Sequence, residues 1–289
     1  MSRPTAQVSA PRSATGGDPG ITRVPILAYH SIFPGANTSW RRYVVSPTLF
    51  DEHVSALREQ GYVSMTVDAL VRAIARGQPL PAKPVVLTFD DGFADFVSNA
   101  LPVIARRHMS ATLYVTTGFV GKRSPWRHRA DADTHEPMLS WADVRSLDPR
   151  VVEVGAHGVS HAQLDALPRA DACREIEESR RAIEGETGRT ISTFCYPHGQ
   201  FDGLVKQMVR AAGFIGACST QPGVSNAGDD PFALARLVMT CDTQASDLER
   251  LFARAPLGPV PERRRTWIWR VVRRQRAAVL RHLSGSAKP

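Results

Sequence analysis

Acidic and imidazole side chains occur directly after apolar runs of this 289-residue sequence, where they could act together on one substrate. Asp90 and Asp91 follow one such run, and His157 and His161 follow another. Two imidazole nitrogens and one carboxylate make a three-ligand site that holds zinc and leaves a fourth position for water. Zinc bound in this way lowers the pKa of its water to about 7, and the second Asp is then available to accept a proton. The pattern predicts metal-assisted hydrolysis.

Taken one at a time, these features are common outside active sites. Asp-Asp-Gly at 90–92 is typical of a turn, because Asp and Gly favour turn conformations. A His pair four residues apart lies more often on a surface or in a core, and the aromatic-Pro-x-Gly pattern at 196–199 is usually a turn. Joint placement favours chemistry, since His30 and His198 also lie at the ends of apolar runs.

The elements that must position these side chains follow from hydrophobic periodicity. Apolar runs predict strands at 24–29, 62–67, 84–89, 111–116, 151–156, 191–196, 214–218 and 235–239. Amphipathic stretches predict helices at 47–60, 68–76, 169–186, 203–212 and 246–253, a helix that ends near Arg107, and a short helix capped by Ser140. This alternation predicts an α/β fold of parallel strands joined by crossover helices, and about eight strands favour a barrel. Barrels of this kind gather reactive side chains at the carboxyl ends of their strands.

The formal charge of +8 is concentrated at one end of the chain. Residues 262–289 contain nine of the 36 Lys and Arg residues and a single acid, Glu262, so the rest of the chain is neutral. A neutral body argues against a groove that follows a phosphate backbone, and we expect no nucleic-acid partner.

Residues 263–283 of this basic segment have helical periodicity, with Ile268, Val272 and Val279 on one face and arginines opposite. A basic amphipathic helix suits the surface of an anionic membrane, which would give the protein a peripheral membrane contact. The alternative is a C-terminal helix that packs its apolar face on the barrel and exposes its arginines. Both interpretations stay open.

The cysteines and the N-terminal residues give an indication of the cellular compartment. The four cysteines include no C-x-x-C pair, so neither a thiolate zinc site nor a redox motif is predicted. Residues 1–20 lack the apolar centre of a secretory signal, and no run reaches the ~18 apolar residues of a transmembrane helix. We therefore expect a cytoplasmic protein, peripheral to the inner face of the membrane if the basic segment binds lipid.

Four segments together resemble the polysaccharide deacetylases, also called carbohydrate esterase family 4 or the NodB-homology family. Residues 88–92 (TFDDG) are similar to its first motif and residues 157–161 (HGVSH) to its second. Residues 194–199 (FCYPHG) look like its third motif, and residues 26–31 (ILAYHS) resemble the Tyr-His segment of the exopolysaccharide deacetylase branch. The resemblance covers roughly residues 24–240 and implies a distorted (β/α) barrel of about seven repeats.

The resemblance also implies roles for individual residues. Asp90 would be the general base, and His30 the general acid, as in the branch where this His comes early in the chain. The backbone N–H of Tyr196 would help to stabilise the oxyanion. The metal would be Zn²⁺, with Co²⁺ or Ni²⁺ as alternatives. Its ligands would be Asp91, His157 and His161.

Two departures from the family pattern affect these roles. The usual third motif carries an Arg that orients the base, and no Arg occurs between Ile191 and Gly199. Arg236, in the predicted strand at 235–239, is the candidate substitute from a neighbouring strand. The usual C-terminal Leu-x-His motif is also absent, so the acid role falls to His30.

The sequence therefore predicts three segments and one activity. Residues 1–22 form a disordered tail, residues 23–255 the catalytic domain, and residues 256–289 a basic amphipathic helix and tail. The predicted reaction is metal-dependent hydrolysis of N-acetyl groups from an amino-sugar polysaccharide or glycoconjugate. Two alternatives stay open: a metal-dependent amidohydrolase acting on a non-sugar N-acyl substrate, and a non-catalytic protein that binds a glycan or a membrane surface.

Overall fold

The computed structural model describes residues 22–35, 41–124 and 137–258. Nearly all of the predicted N-terminal tail lies outside these ranges, as does the amphipathic stretch at 263–283. Within them, strands and helices alternate along the chain. None of the described helices is long and apolar enough to cross a membrane.

The described ranges contain twelve strands and seven α-helices. The strands are β1 (Arg23–Val24), β2 (Ile26–Tyr29), β3 (Ser31–Ile32), β4 (Val44–Val45), β5 (Val63–Met65), β6 (Pro84–Phe89), β7 (Ala111–Val115), β8 (Val152–Ala156), β9 (Thr193–Cys195), β10 (Gly216–Pro222), β11 (Ser225–Asn226) and β12 (Leu234–Val238). The helices are α1 (Pro47–Glu59), α2 (Val67–Ala75), α3 (Leu101–Arg106), α4 (Trp141–Ser146), α5 (Arg169–Thr187), α6 (Gly203–Ala211) and α7 (Leu248–Arg254).

Seven of these strands close into a parallel barrel, in the order β2, β6, β7, β8, β9, β10, β12 and back to β2. The closing pair is β2 with β6, where Ile26–Tyr29 lies in register with residues 86–89. Strand β5 pairs only with the first half of β6, so it lies beside the closed ring. The predicted α/β barrel of parallel strands is confirmed, with seven strands in the ring.

Alternate side chains of the barrel strands belong to two separate cores, as the two-residue period of a strand requires. Leu27 and Leu87 face outward and pack beneath the helices. Their neighbours Ile26 and Val86 face the interior, in a second apolar cluster that also contains Cys195. The barrel interior is therefore filled with side chains, with an apolar layer between its two ends.

Side-chain caps fix the start of several helices. Ser46 accepts a hydrogen bond from the N–H of Leu49 at 3.1 Å, and Pro47 occupies the first position of α1, as predicted. Ser140 and Asp143 form a reciprocal capping box at α4. These caps satisfy N–H groups that have no partner inside the helix.

One short pair of parallel strands was not predicted from the sequence. Strand β3 (Ser31–Ile32) pairs with β4 (Val44–Val45), and each is only two residues long. Two residues are too few to display a two-residue period. The pair brings residues 41–43 back beside His30, at the carboxyl end of β2.

The inner packing generates a stability prediction. A Cβ added at Gly155 would lie 2.5 Å from a ring carbon of Tyr114, so Gly155→Ala should lower the free energy of unfolding by about 1–3 kcal/mol in urea titrations. Gly185→Ala is the matched control, because a Cβ at this position of α5 meets nothing within 4 Å. It should stabilise the protein by about 0.5–1 kcal/mol. Equal stabilities of the two variants would contradict the described interior.

Candidate metal and catalytic site

The carboxyl ends of the barrel strands open into a cavity of about 420 Å³. Because parallel strands end at the same edge, polar residues far apart in the sequence meet there. Six of the seven predicted site residues line this cavity: His30, Asp90, Asp91, His157, His161 and Tyr196. The seventh, Arg236, is fully buried and contacts the cavity through Asp90.

Asp91, His157 and His161 converge on one point. Oδ1 of Asp91 lies 3.5 Å from Nε2 of His157 and 3.3 Å from Nε2 of His161. Tetrahedral ligands that are each about 2.0–2.1 Å from a zinc ion lie about 3.3–3.4 Å from one another. The spacing of the three ligand atoms therefore fits a shared metal ion, and the predicted ligands are brought together.

The surroundings of these ligands also fit a cation. Neither carboxylate oxygen of the buried Asp91 accepts a hydrogen bond from the described residues, a costly state that a bound ion would relieve. Nδ1 of His157 donates to the carbonyl oxygen of Cys195 at 2.7 Å, which leaves the Nε2 lone pair directed towards Asp91. One carboxylate and two imidazoles suit Zn²⁺, Co²⁺ or Ni²⁺.

A second group, Asp90 with His157 and Cys195, has similar spacing but fits a metal less well. Both oxygens of Asp90 already accept hydrogen bonds from Arg236, and so does Sγ of Cys195, at 3.0 Å. Burial raises the pKa of the Cys195 thiol, whereas a metal ligand must be a thiolate. We therefore assign the metal site to the Asp91 group.

Arg236 holds Asp90 through two parallel hydrogen bonds. Nη1 donates to Oδ1 at 2.8 Å, and Nη2 donates to Oδ2 at 2.7 Å. The guanidinium is itself fixed, because Nη1 also donates to Oγ1 of Thr88 and Nε donates to the carbonyl oxygen of Ser219. Arg236 thus occupies the position, next to the proposed base, that the sequence suggested for it.

This pairing controls the charge of Asp90. Burial alone raises the pKa of Asp90, but the charge and hydrogen bonds of Arg236 outweigh burial and hold the pKa far below its ordinary range. The pKa of Asp91 is also lowered. Burial raises this pKa, but the effect of His157 and His161 in the opposite direction is larger. Both carboxylates are therefore ionised at neutral pH.

His30 follows β2 and lines the same cavity. Its ring centroid lies 5.1 Å from that of Tyr43, a residue that the sequence did not single out. Burial lowers the pKa of His30, and the charges of Asp90 and Asp91 oppose this only in part. The imidazole is therefore neutral at pH 7.

The oxyanion role predicted for Tyr196 is wrong. Its backbone N–H donates to the carbonyl oxygen of Cys218 at 3.0 Å, as part of the ladder between the strands, and has no second hydrogen to offer. Its hydroxyl donates to the carbonyl oxygen of Phe232 at 2.9 Å, and the ring is buried. Tyr196 is thus a structural residue of the barrel wall.

Backbone strain marks this cavity. Asp91, His161 and His198 have φ of 75°, 57° and 58°, and among the described non-glycine residues only His108 shares a positive φ. The left-handed conformation costs roughly 1–2 kcal/mol for an L-residue, and such strain clusters at functional sites. His198 is missing from the predicted set, yet its ring centroid lies 4.4 Å from that of His161. The motif located His198 at a strand end but gave no signal for where its ring points.

Comparison with known sequences agrees with this site. The sequence model of the family described as "Polysaccharide deacetylase" matches residues 77–217. The chain is 23% identical over 235 residues to the poly-beta-1,6-N-acetyl-D-glucosamine N-deacetylase of Escherichia coli (strain K12), covering 70% of this chain and 34% of that protein. It is 18% identical over 205 residues to the enzyme of the same name from Staphylococcus aureus (strain MSSA476), covering 70% of each.

Solved structures share the barrel. The Streptococcus pyogenes deacetylase PplD, in complex with acetate, superposes with a TM-score of 0.69 at 21% identity, over 80% of this chain and 99% of that one. IcaB from Ammonifex degensii superposes with a TM-score of 0.69 at 22% identity, over 79% and 96%. Fold and site define a metal-dependent hydrolase built on a (β/α) barrel. The family match covers residues 77–217, just under half of the chain, so the chain is similar to the polysaccharide deacetylases from strand β6 to the start of β10.

Arg236→Gln tests the buried ion pair. Removing the guanidinium leaves a buried carboxylate unpaired, so the free energy of unfolding should fall by about 3–5 kcal/mol at neutral pH. Because the pKa of Asp90 is depressed in the folded protein, the pair stabilises above the ordinary Asp pKa and loses this effect as the pH falls. The difference in free energy of unfolding between variant and wild type, measured by urea titration, should therefore become smaller towards acid pH.

Arg250→Gln is the control for this variant, because Arg250 forms an exposed ion pair with Asp247 on the surface. It should change stability little at any pH. If the difference in free energy of unfolding between Arg236→Gln and wild type does not change with pH, the proposed stabilisation of ionised Asp90 by Arg236 is refuted.

Metal content tests the ligand assignment. Elemental analysis of dialysed protein should find about one divalent ion per wild-type chain and little or none in His157→Ala or Asp91→Asn. His198→Ala should keep its metal, because His198 contacts His161 but is not in the ligand group. Loss of metal in His198→Ala, or full occupancy in His157→Ala, would require a different ligand set.

Proposed function

We propose that this protein removes N-acetyl groups from an amino-sugar polysaccharide or glycoconjugate by metal-assisted hydrolysis. One observation carries the proposal: the Arg236-held carboxylate of Asp90 lies next to the ligand group of Asp91, His157 and His161, in one cavity. Amide hydrolysis needs both a polarised carbonyl and an attacking water that loses a proton. The two adjacent aspartates divide these tasks.

A divalent ion at the Asp91 group would supply Lewis-acid chemistry, polarising the acetyl carbonyl and acidifying water. Asp90 accepts the proton from the water that attacks the amide carbon. Arg236 keeps this carboxylate ionised and fixes its orientation, so no reorganisation is needed when the proton transfers. Acid–base help of this kind is worth about 10²–10⁴ in rate.

His30 donates a proton to the nitrogen of the leaving amine. Its lowered pKa means that the imidazole is neutral at rest, so His30 passes on to the amine the proton that Asp90 has taken from the attacking water. His30 lines the same cavity as Asp90 and Asp91 and lies close enough to feel the charges of both, which supports this role. Because the Tyr196 N–H is engaged in the sheet, stabilisation of the oxyanion would depend on a cation held by Asp91, His157 and His161.

An amino-sugar substrate is supported by the names of the relatives. The E. coli and S. aureus proteins are both named poly-beta-1,6-N-acetyl-D-glucosamine N-deacetylases. The chain spans about a third of the E. coli protein, so that polymer is one candidate within the class and not an assignment. A non-sugar N-acyl substrate would use the same catalytic groups. An acetate-release assay on both kinds of substrate distinguishes the two possibilities. A non-catalytic binding protein would have no use for the buried Asp90–Arg236 pair.

We propose Zn²⁺ as the resident metal, since the ligand geometry suits its tetrahedral preference. A cytoplasmic location and a membrane contact through residues 263–283 stay predictions from the sequence. The segment concerned lies outside the described residues, and the basic character that motivates the membrane contact belongs to that segment alone.

Asp90→Asn tests the function directly. The zinc-loaded wild type should release acetate from N-acetylglucosamine oligomers and not from small non-sugar N-acyl compounds. Asp90→Asn should lower kcat by at least about 10²-fold while keeping its zinc, because the amide cannot accept a proton. A wild-type rate in the variant would overturn the base assignment. Acetate release only from non-sugar substrates would replace the proposed substrate class.

A further inference from the structure

The cavity contains one arginine that neither the metal site nor the proton transfers use. Arg42 lines the same cavity as Asp90, Asp91 and His30, and its side chain is exposed to solvent there. Its guanidinium group forms no ion pair or hydrogen bond with any residue that the structure describes. This distinguishes it from Arg236, every nitrogen of which is engaged.

The backbone that carries Arg42 is held firmly in place. Arg41–Tyr43 form a 3-10 turn that leads directly into β4. The carbonyl oxygen of Arg42 accepts a hydrogen bond from the N–H of Cys241 at 3.1 Å, in the loop that follows β12. That loop is anchored in turn to α1, because Nε2 of His53 donates to the carbonyl oxygen of Thr243 at 2.8 Å. The backbone from which the Arg42 side chain reaches the cavity is therefore held in place by hydrogen bonds.

The charges around Arg42 do not balance it. Asp90 and Asp91 are the acidic residues among the described groups that line the cavity. Arg236 neutralises Asp90, and a divalent ion would more than neutralise Asp91. With such an ion bound, the cavity would have a net positive charge, part of it on the exposed guanidinium of Arg42. A concave, low-dielectric wall focuses such a field on whatever binds there.

We propose that Arg42 binds an anionic group of the substrate, a carboxylate or a phosphate carried on or next to the N-acetylated sugar. This inference rests on the proposed function and narrows its substrate class from amino-sugar glycans in general to acidic ones. A guanidinium matches both groups, because its planar donors form two parallel hydrogen bonds with carboxylate or phosphate oxygens. Arg42 is then a specificity-determining residue and not a catalytic one.

The test measures binding separately from turnover. Isothermal titration uses the full-length zinc-loaded chain carrying Asp90→Asn, which keeps each ligand intact. Four probes are compared in two pairs. The first pair is a neutral N-acetylglucosamine tetramer and a tetramer alternating N-acetylglucosamine with glucuronic acid, and the second is free N-acetylglucosamine and its 1-phosphate. Arg42→Gln is added to this background, and Arg58→Gln is the matched control, since Arg58 is an exposed arginine of α1 away from the cavity.

We expect at least one acidic probe to bind about 10- to 100-fold more tightly than its neutral counterpart, as a charge-assisted hydrogen-bond pair predicts. Arg42→Gln should remove this preference, and Arg58→Gln should retain it. A preference limited to the uronic acid tetramer identifies a carboxylate substrate, and one limited to the 1-phosphate identifies a phosphorylated sugar. Equal affinity for acidic and neutral probes, no binding of any probe, or a preference that survives Arg42→Gln overturns the inference.

Turnover by the chain with Asp90 intact separates the two proposals. Acetate release from the neutral tetramer, without an acidic preference in binding, leaves the proposed function standing and refutes the role of Arg42. An acidic preference lost in Arg42→Gln, without acetate release from any probe, supports the anion site and refutes the deacetylase activity.

Discussion

The buried ion pair between Asp90 and Arg236 is the interaction on which the site depends. Taking a carboxylate and a guanidinium out of water costs several kcal/mol for each ion, and only close, fully satisfied contacts compensate for that cost. Here both hydrogen bonds are short, and Thr88 and Ser219 occupy the remaining donors. The pair therefore requires that β6, β10 and β12 meet at fixed positions, which only the closed ring provides.

The same ring separates two neighbouring carboxylates by function. The interior register brings Asp90 to Arg236, while the left-handed backbone at Asp91 turns the next carboxylate towards His157 and His161. Without this turn, both acids would compete for one environment and their charges would repel. The backbone strain at Asp91 thus follows from the need for one acid to receive protons and the other to bind a cation.

The sequence predicts the fold well because the barrel strands are apolar on both faces and alternate with amphipathic helices. Asp91, His157 and His161 are predictable because each follows such a strand. Arg236 is predicted on a different ground: the family's third motif lacks its usual Arg here, and Arg236 lies in a neighbouring predicted strand. No pattern shows the β3–β4 pair or which cavity Arg42 faces, since both depend on contacts between distant segments. The sequence could not show that the Tyr196 N–H is already bonded, because its partner, the carbonyl oxygen of Cys218, lies on a different strand.

The central claim is that a metal ion belongs with Asp91 and that Asp90 stays with Arg236. Anomalous diffraction at the zinc absorption edge, from crystals of the zinc-loaded protein, locates the ion directly. The account predicts one peak within about 2.0–2.2 Å of a carboxylate oxygen of Asp91 and of Nε2 of His157 and His161. The Asp90–Arg236 hydrogen bonds would remain intact. A peak between Asp90 and Cys195, with Arg236 displaced, would contradict the account.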